Sequence, residues 1–224
     1  MITAATRGSV VVLISGRGSN MLALLRAGQR ADSAYAVRAV IADKPDAAGL
    51  AAARESGVEA RIVAPLPGEA RDAYDRRLAA AVAGYSPTLV VLAGFMRILS
   101  GAFVEAFEGR LLNVHPSLLP KYPGLHTHRR ALAAADLIHG ATVHFVTAEL
   151  DAGPAVIQAQ LEVRAGEGEE RLGERVLALE HRILPLAVRW YCEGRLAWRG
   201  GRPCFDGAPL GAPLRLADVE AFAC

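Results

Sequence analysis

The sequence predicts an α/β fold: an open twisted sheet, parallel in its N-terminal half and mixed or antiparallel in its C-terminal half. Three observations predict it. Residues 10–14 are a continuous β-branched and aliphatic run, the pattern of a strand covered on both faces, and further apolar runs follow at 37–42, interrupted by Arg38, and at 89–93. Segments with helical spacing alternate with these runs, which calls for right-handed βαβ crossovers. Late in the chain two apolar runs are separated by little more than a Gly-Pro turn, which calls for an antiparallel pair.

The elements follow in order. Residues 10–14 form the first strand and end in Ser15-Gly16-Arg17-Gly18-Ser19-Asn20, after which Met21, Leu22, Leu24 and Leu25 mark a helix. Residues 37–42 form a second strand before a helical segment at 46–55, and 58–63 form a third. Residues 69–83 carry Tyr74, Leu78 and Val82 on one helical face, and Pro87 stops that helix. Strands follow at 89–93 and 111–115. Residues 142–146 and 156–163 make the antiparallel pair around Glu149-Leu150-Asp151-Ala152-Gly153-Pro154. Residues 169–191 read as a long amphipathic helix with Pro185 as a kink. Beyond Gly194 the chain is rich in Gly and Pro, the mark of short hairpins or an irregular cap. Residues 1–224 therefore read as one domain, with 195–224 as its irregular tail.

Composition narrows the class. At 224 residues the chain suits one large domain or two small ones, and it has no obvious linker or internal repeat. That length buries a core without disulfides or a structural metal. With 25 Lys+Arg against 23 Asp+Glu the net charge is +2, so no nucleic-acid partner is expected. Cys192, Cys204 and Cys224 are odd in number and late, which fits neither a disulfide framework nor a zinc site. The longest apolar stretch, 89–96, falls far short of the ~20 residues that span a bilayer. Arg7 and the short apolar run after it do not make a secretory signal. The expectation is a soluble, cytoplasmic protein with no membrane partner.

Ligands of open α/β sheets bind beyond the carboxyl ends of the strands. Four such ends carry unusual side chains. Residues 15–20 suit an anion site on backbone amides, or a turn in which Ser or Asn caps the helix. They complete neither a Walker loop nor the dinucleotide fingerprint, since Met21 stands where the third glycine would fall. Asn113 and His115, two apart on a strand, face the same way while Val114 packs behind. An amide beside an imidazole suits carbonyl chemistry, or makes a hydrogen-bonded core pair. His144 precedes the turn with Glu149 and Asp151. There Asp151 either faces His115 across a cleft or is a solvated turn former. Residues 94–99 place apolar side chains on a loop, as the wall of a pocket for a flat ring or as ordinary core. His126 and His128 are a two-residue metal candidate, but no third ligand has the spacing of a site, and no metal is expected. Arg71, at a helix start, reads by itself as a surface arginine.

Together these segments resemble a known family. Gly16-Arg17-Gly18-Ser19-Asn20, Leu92-Ala93-Gly94-Phe95-Met96-Arg97-Ile98-Leu99 and Asn113-Val114-His115-Pro116-Ser117-Leu118-Leu119-Pro120-Lys121-Tyr122-Pro123-Gly124 resemble the phosphoribosylglycinamide formyltransferases, a folate-dependent family. Residues 139–146 and 149–154 extend the likeness in the same order, and it runs from about residue 9 to residue 194. The resemblance implies the Rossmann-like formyltransferase fold. It implies formyl transfer from 10-formyltetrahydrofolate to the amine of 5'-phosphoribosylglycinamide in de novo purine synthesis, with small-molecule partners, no metal and a monomer or weak homodimer.

Carried over residue by residue, the resemblance makes Asn113, His115 and Asp151 catalytic, and gives the substrate phosphate and ribose to Gly18, Ser19, Asn20 and Glu180. It gives the folate to Arg71, Met96, Arg97, Ile98 and Leu99, with Thr147, Ala148, Glu149 and Leu150. His144 stands behind them, orienting Asp151 or the folate. Leu177 departs from the pattern, being apolar where the family has a polar residue, so no substrate contact is expected there. The amine attacks the formyl carbon directly, Asn113 and protonated His115 stabilise the oxyanion, and Asp151 keeps His115 protonated and relays the proton. Three other readings stand beside this one. A formyltetrahydrofolate hydrolase would use water as acceptor. A methionyl-tRNA formyltransferase would carry a further RNA-binding domain. A non-catalytic nucleotide-binding module would leave Asn113, His115 and Asp151 without a purpose.

Overall fold

In β1 (Gly8–Ile14) every side chain from Val10 onward is fully buried, and alternate residues enter two different cores. Val10, Val12 and Ile14 pack with Met21, Leu24 and the long late helix, whereas Val11 and Leu13 face Tyr74, Leu78 and Phe103. The period-2 geometry of a strand thus builds a three-layer α/β/α molecule. The computed structural model describes residues 7–221, so Cys224 lies outside the described residues.

The chain continues through α1 (Ser19–Gly28), β2 (Tyr35–Ala42), α2 (Gly49–Glu55), β3 (Glu59–Ile62), α3 (Arg71–Ala83) and β4 (Leu89–Leu92). Next come α4 (Gly101–Ala106), β5 (Leu111–His115), α5 (Thr127–Ala133), β6 (Ile138–Phe145), β7 (Ala155–Glu162) and α6 (Glu169–Cys192). The last elements are β8 (Leu196–Arg199), β9 (Arg202–Phe205), β10 (Ala208–Pro209), β11 (Leu214–Arg215) and α7 (Leu216–Ala221). The main sheet has the order β11-β7-β6-β5-β4-β1-β2-β3. Pairings from β3 across to β5 are parallel, and β5–β6 and β6–β7 are antiparallel. Strand order reverses between β1 and β4, so their carboxyl ends open the crevice in which such sheets bind ligands.

The expected parallel-then-antiparallel sheet is the one that forms, with local differences. The helices α4 and α5, six and seven residues long, are too short to show a helical period and were not expected. Strand β6 starts at Ile138 rather than residue 142. Gly140 hides that start, because a Cβ there would lie 2.0 Å from the Ala159 carbonyl oxygen on β7. Helix α6 ends at Cys192, one residue beyond the expected end, and contains Pro185. Of the two forms expected after Gly194, short hairpins are the one that forms, not an irregular cap: β8, β9 and β10 make an antiparallel meander, and β11 lies parallel along β7 at the edge of the main sheet. No helix among the described residues is long and apolar enough to cross a membrane.

Candidate active site

Strand β5 delivers two polar side chains to the crevice. Val114 is buried in the core, so Asn113 and His115 point together to the other side. The antiparallel register sets Asn113 opposite His144 on β6. The Asn113 amide donates to His144 Nε2 at 3.1 Å, and His144 Nδ1 donates to the Phe145 carbonyl at 2.9 Å. A ring that donates from Nδ1 and accepts at Nε2 is neutral, and burial pushes His144 down to about 4. This pairing sets the orientation of the Asn113 amide: one N–H is held, and the other has no protein partner among the described residues.

The turn between β6 and β7 brings in a carboxylate. Gly153 lets the turn fold back onto β6, since a Cβ there would lie 1.8 Å from the Phe145 carbonyl oxygen. Asp151, in the left-handed region at φ 51°, turns its side chain inward. Its Oδ2 lies 3.5 Å from His115 Nδ1 and accepts from the Gly124 N–H at 2.8 Å, and its Oδ1 lies 3.8 Å from His144 Nε2. At 8 % exposure the side chain is no solvated turn former. The His115 ring is held from the other side, where Nε2 meets the Tyr122 carbonyl at 2.9 Å and, as the carbonyl can only accept, donates to it. The amide, imidazole and carboxylate expected from two separate segments therefore meet at one place.

Two joined clefts open onto them. The larger, of about 500 Å³, has Asn113, His115 and Asp151 on its floor, Met96, Arg97 and Ile98 on one wall, and the backbone around Gly124–His128 on the other. The narrower, of about 80 Å³, is lined by Leu99, His144 and the segment Thr147, Ala148, Glu149, Leu150 and Asp151. Met96, Ile98 and Leu150 are 66 %, 54 % and 50 % exposed. Large apolar side chains left open around a polar floor suit a flat ring with polar edges.

The wall at 95–99 is pinned by Ser15, from the first candidate loop, and by Asp75, which sequence reasoning missed. Ser15 Oγ accepts from the Met96 N–H at 2.8 Å, and buried Asp75 accepts from the Ser100 N–H at 2.6 Å. Arg97 stacks 4.5 Å above the Tyr74 ring. The only signal in the sequence is an acid at position 75, one step from the apolar face of α3. Tyr122 and Gly124 were missed as well, because they act through backbone atoms that every residue carries.

At the start of α1, Gly18 takes the N-cap position at φ 72° with no side-chain cap, so the expected Ser or Asn cap does not form. Asn20 instead donates to Glu180 Oε2 on α6 at 2.5 Å, while its own Oδ1 is buried without a partner among the described residues. Burial pushes Glu180 up to about 7, against the opposing pull of the Asn20 hydrogen bond. Gly18, Ser19, Asn20 and Glu180 lie outside the linings of both clefts, as does Arg71, exposed at the start of α3. His126 lines the larger cleft, and His128 pairs with His139 at 3.1 Å rather than with His126. Among the described residues no three His, Cys, Asp or Glu side chains are grouped to hold a metal.

Comparison with known proteins places this geometry. Residues 9–188 match the family model described as formyl transferase. The phosphoribosylglycinamide formyltransferase of Escherichia coli is 50 % identical over 202 residues, 90 % of this chain and 95 % of that protein. The human trifunctional purine biosynthetic protein adenosine-3 is 38 % identical over 188 residues, 84 % of this chain and 19 % of that one. The solved structure of the Coxiella burnetii phosphoribosylglycinamide formyltransferase superposes with a TM-score of 0.88 at 43 % identity, covering 93 % of this chain and all of that one.

Proposed function

The chain belongs to the formyl transferase family, and from that premise we propose that it moves a formyl group from 10-formyltetrahydrofolate to the amine of 5'-phosphoribosylglycinamide, a step of purine synthesis. The reading includes a cytoplasmic enzyme acting on small molecules, without nucleic acid, as a monomer or weak homodimer. The observation that carries it is the meeting of Asn113, His115 and Asp151 on the floor of one cleft, with His115 Nδ1 and Asp151 Oδ2 3.5 Å apart.

The residues around the clefts fit the folate: exposed Met96, Ile98 and Leu150 offer apolar contact, and the 147–151 backbone offers donors and acceptors. When bound, it supplies an electrophilic formyl carbon at the cleft floor. The free N–H of Asn113 donates to the oxygen on which charge develops, and one such donor is commonly worth ~10²–10³ in rate. His115 Nε2–H is engaged by Tyr122, so Nδ1 is the ring nitrogen that meets the reacting atoms. At 3.5 Å its approach to Asp151 is too long for a strong hydrogen bond and leaves Nδ1 able to turn to a substrate oxygen. Asp151 accepts the proton leaving the amine, directly or through one water, and that proton would pass to the folate nitrogen as the formyl carbon–nitrogen bond breaks and tetrahydrofolate leaves. No serine or cysteine nucleophile is needed. In this reading Gly18, Ser19 and Asn20 hold the phosphate on backbone amides at the start of α1, and Glu180 accepts from the ribose hydroxyls. Arg71 and Arg97 meet the anionic end of the folate.

The test is to incubate the protein with 10-formyltetrahydrofolate, with and without the ribonucleotide, and follow folate absorbance. Turnover only with the ribonucleotide is expected. Turnover without it would assign a hydrolase, and none in either mixture would overturn the reading. Asn113→Ala should lower kcat about 10²–10³-fold with KM little changed.

A further inference from the structure

One short segment holds both partners of the central pair. The Tyr122 carbonyl takes the Nε2–H of His115 at 2.9 Å, and two residues on the Gly124 N–H donates to Asp151 Oδ2 at 2.8 Å. His115 and Asp151 come from different elements, so their separation depends on where residues 122–124 lie. That segment is irregular and folded against local preference. Tyr122 stands at φ 58°, a conformation that disfavours a side chain of its size, and Gly124 at φ 77°. Backbone of this kind persists only where its surroundings hold it.

The holding is done from the loop between α5 and β6. Asp136 accepts from Tyr122 Oη at 2.8 Å and from Lys121 Nζ at 2.8 and 3.0 Å. These bonds keep the Asp136 carboxyl below its ordinary range, so both remain charge-assisted. The bond to Tyr122 is the part-buried one, whereas Lys121 is exposed. Arg130 adds a second anchor, donating to the Pro123 carbonyl at 2.6 Å.

We propose that Asp136 is a positioning residue for the transfer reaction: through the Tyr122 hydroxyl it fixes the 122–124 backbone, which sets the His115 tautomer and the His115–Asp151 distance. The proposal rests on the catalytic reading of that pair. With Nε2 held as the donor, Nδ1 is the ring nitrogen left to face Asp151 and the cleft. Loss of the anchor lets the Tyr122 carbonyl withdraw and frees the ring to place its proton on either nitrogen.

The variants are Tyr122→Phe, which removes only the hydroxyl, and Asp136→Asn, with Arg182→Ala on the outer surface as control. Each is assayed for kcat and KM, for thermal midpoint, and for the His115 ring ¹⁵N shifts at alkaline pH. Expected are kcat falls of about 10–100-fold with KM within about threefold, a largely unchanged midpoint in Tyr122→Phe, and His115 shifts moving from a single Nε2–H form to a mixture. Wild-type kcat in both variants, or His115 shifts identical to wild type, would overturn the proposal. The shifts need no substrate. If the native protein transfers no formyl group, the catalytic reading fails and the tautomer data still decide whether Asp136 sets the ring.

Discussion

His144 shows how one buried ring can set the chemistry of another side chain without touching substrate. Its Nδ1–H is committed to the Phe145 carbonyl and burial keeps it neutral, so its Nε2 can only accept, and Asn113 must present an N–H to it. Replacing His144 by Ala frees the amide to rotate and should lower kcat about tenfold, while adding the same change to Asn113→Ala should cost almost nothing more. A double-mutant cycle on kcat checks this, and additive losses would mean that His144 acts by another route. Asn113 and His115 were legible as candidates because they sit two apart at the end of an apolar strand, whereas for Asp151, in the β6–β7 turn, only the family resemblance decided between a site residue and a turn former. The atoms that hold them, the Tyr122 carbonyl and the Gly124 amide, were not legible, because nothing in a side chain marks a backbone group that bonds across the site. Between these extremes stands the start of α1, where Asn20 was expected to meet the substrate but its bond to Glu180, across 160 residues of chain, was not foreseen.

At the scale of elements, that bond joins α1 to α6 and makes their seam sensitive to pH. Burial raises Glu180 from the 4.5 of a free carboxyl to about 7, so the folded protein binds a proton that the unfolded chain has released between those values. Folding stability is therefore greatest below about pH 4.5 as far as Glu180 is concerned, and it declines as pH rises through about 7. The full cost is about 3 kcal/mol at the ~1.4 kcal/mol of each pKa unit. Glu180→Gln should thus be more thermostable than wild type at pH 8 and nearly equal to it at pH 4.5, as melting curves at the two values would show. A constant difference would place the charge outside the seam. The β6–β7 turn is governed by sterics instead. In Gly153→Ala the new methyl meets the rigid Phe145 carbonyl, so the turn must shift and carry Asp151 with it. We expect a loss of about 1–3 kcal/mol in urea unfolding together with a drop in kcat, whereas unchanged activity would show that Asp151 is placed independently of the turn. The buried strands were legible as unbroken apolar runs, whereas α4 and α5 were not, because six or seven residues complete too few turns to show a face.

Over the whole molecule, chemistry and stability are separated along the sheet. The clefts lie at the carboxyl ends of β4 and β5, while the chain after α6 wraps the opposite flank and closes the edge beside β7. Gly and Pro at so many positions after residue 194 made that region look irregular, although each break separates two strands short enough to turn within a few residues. Its aromatic side chains tie it to the core: Trp198 packs 5.0 Å from the buried Phe145 ring, and Phe205 4.9 Å from Trp190 on α6. Phe205 packs against Trp190 in the C-terminal part of α6 and lines neither cleft. Phe205 is half-buried, so Phe205→Ala should cost about 1–3 kcal/mol, less if Arg195, now stacked 4.8 Å over the ring, collapses into the space. Because an edge strand is covered only by the two residues of β11, partial loosening of this flank should also expose β7 to pairing between molecules. The expected result is a lower urea midpoint and earlier aggregation on heating, with kcat and both KM values within about twofold of wild type. A fall in kcat that tracks the lost stability would show that this flank and the cleft are one cooperative unit under assay conditions, and that the separation along the sheet is not real.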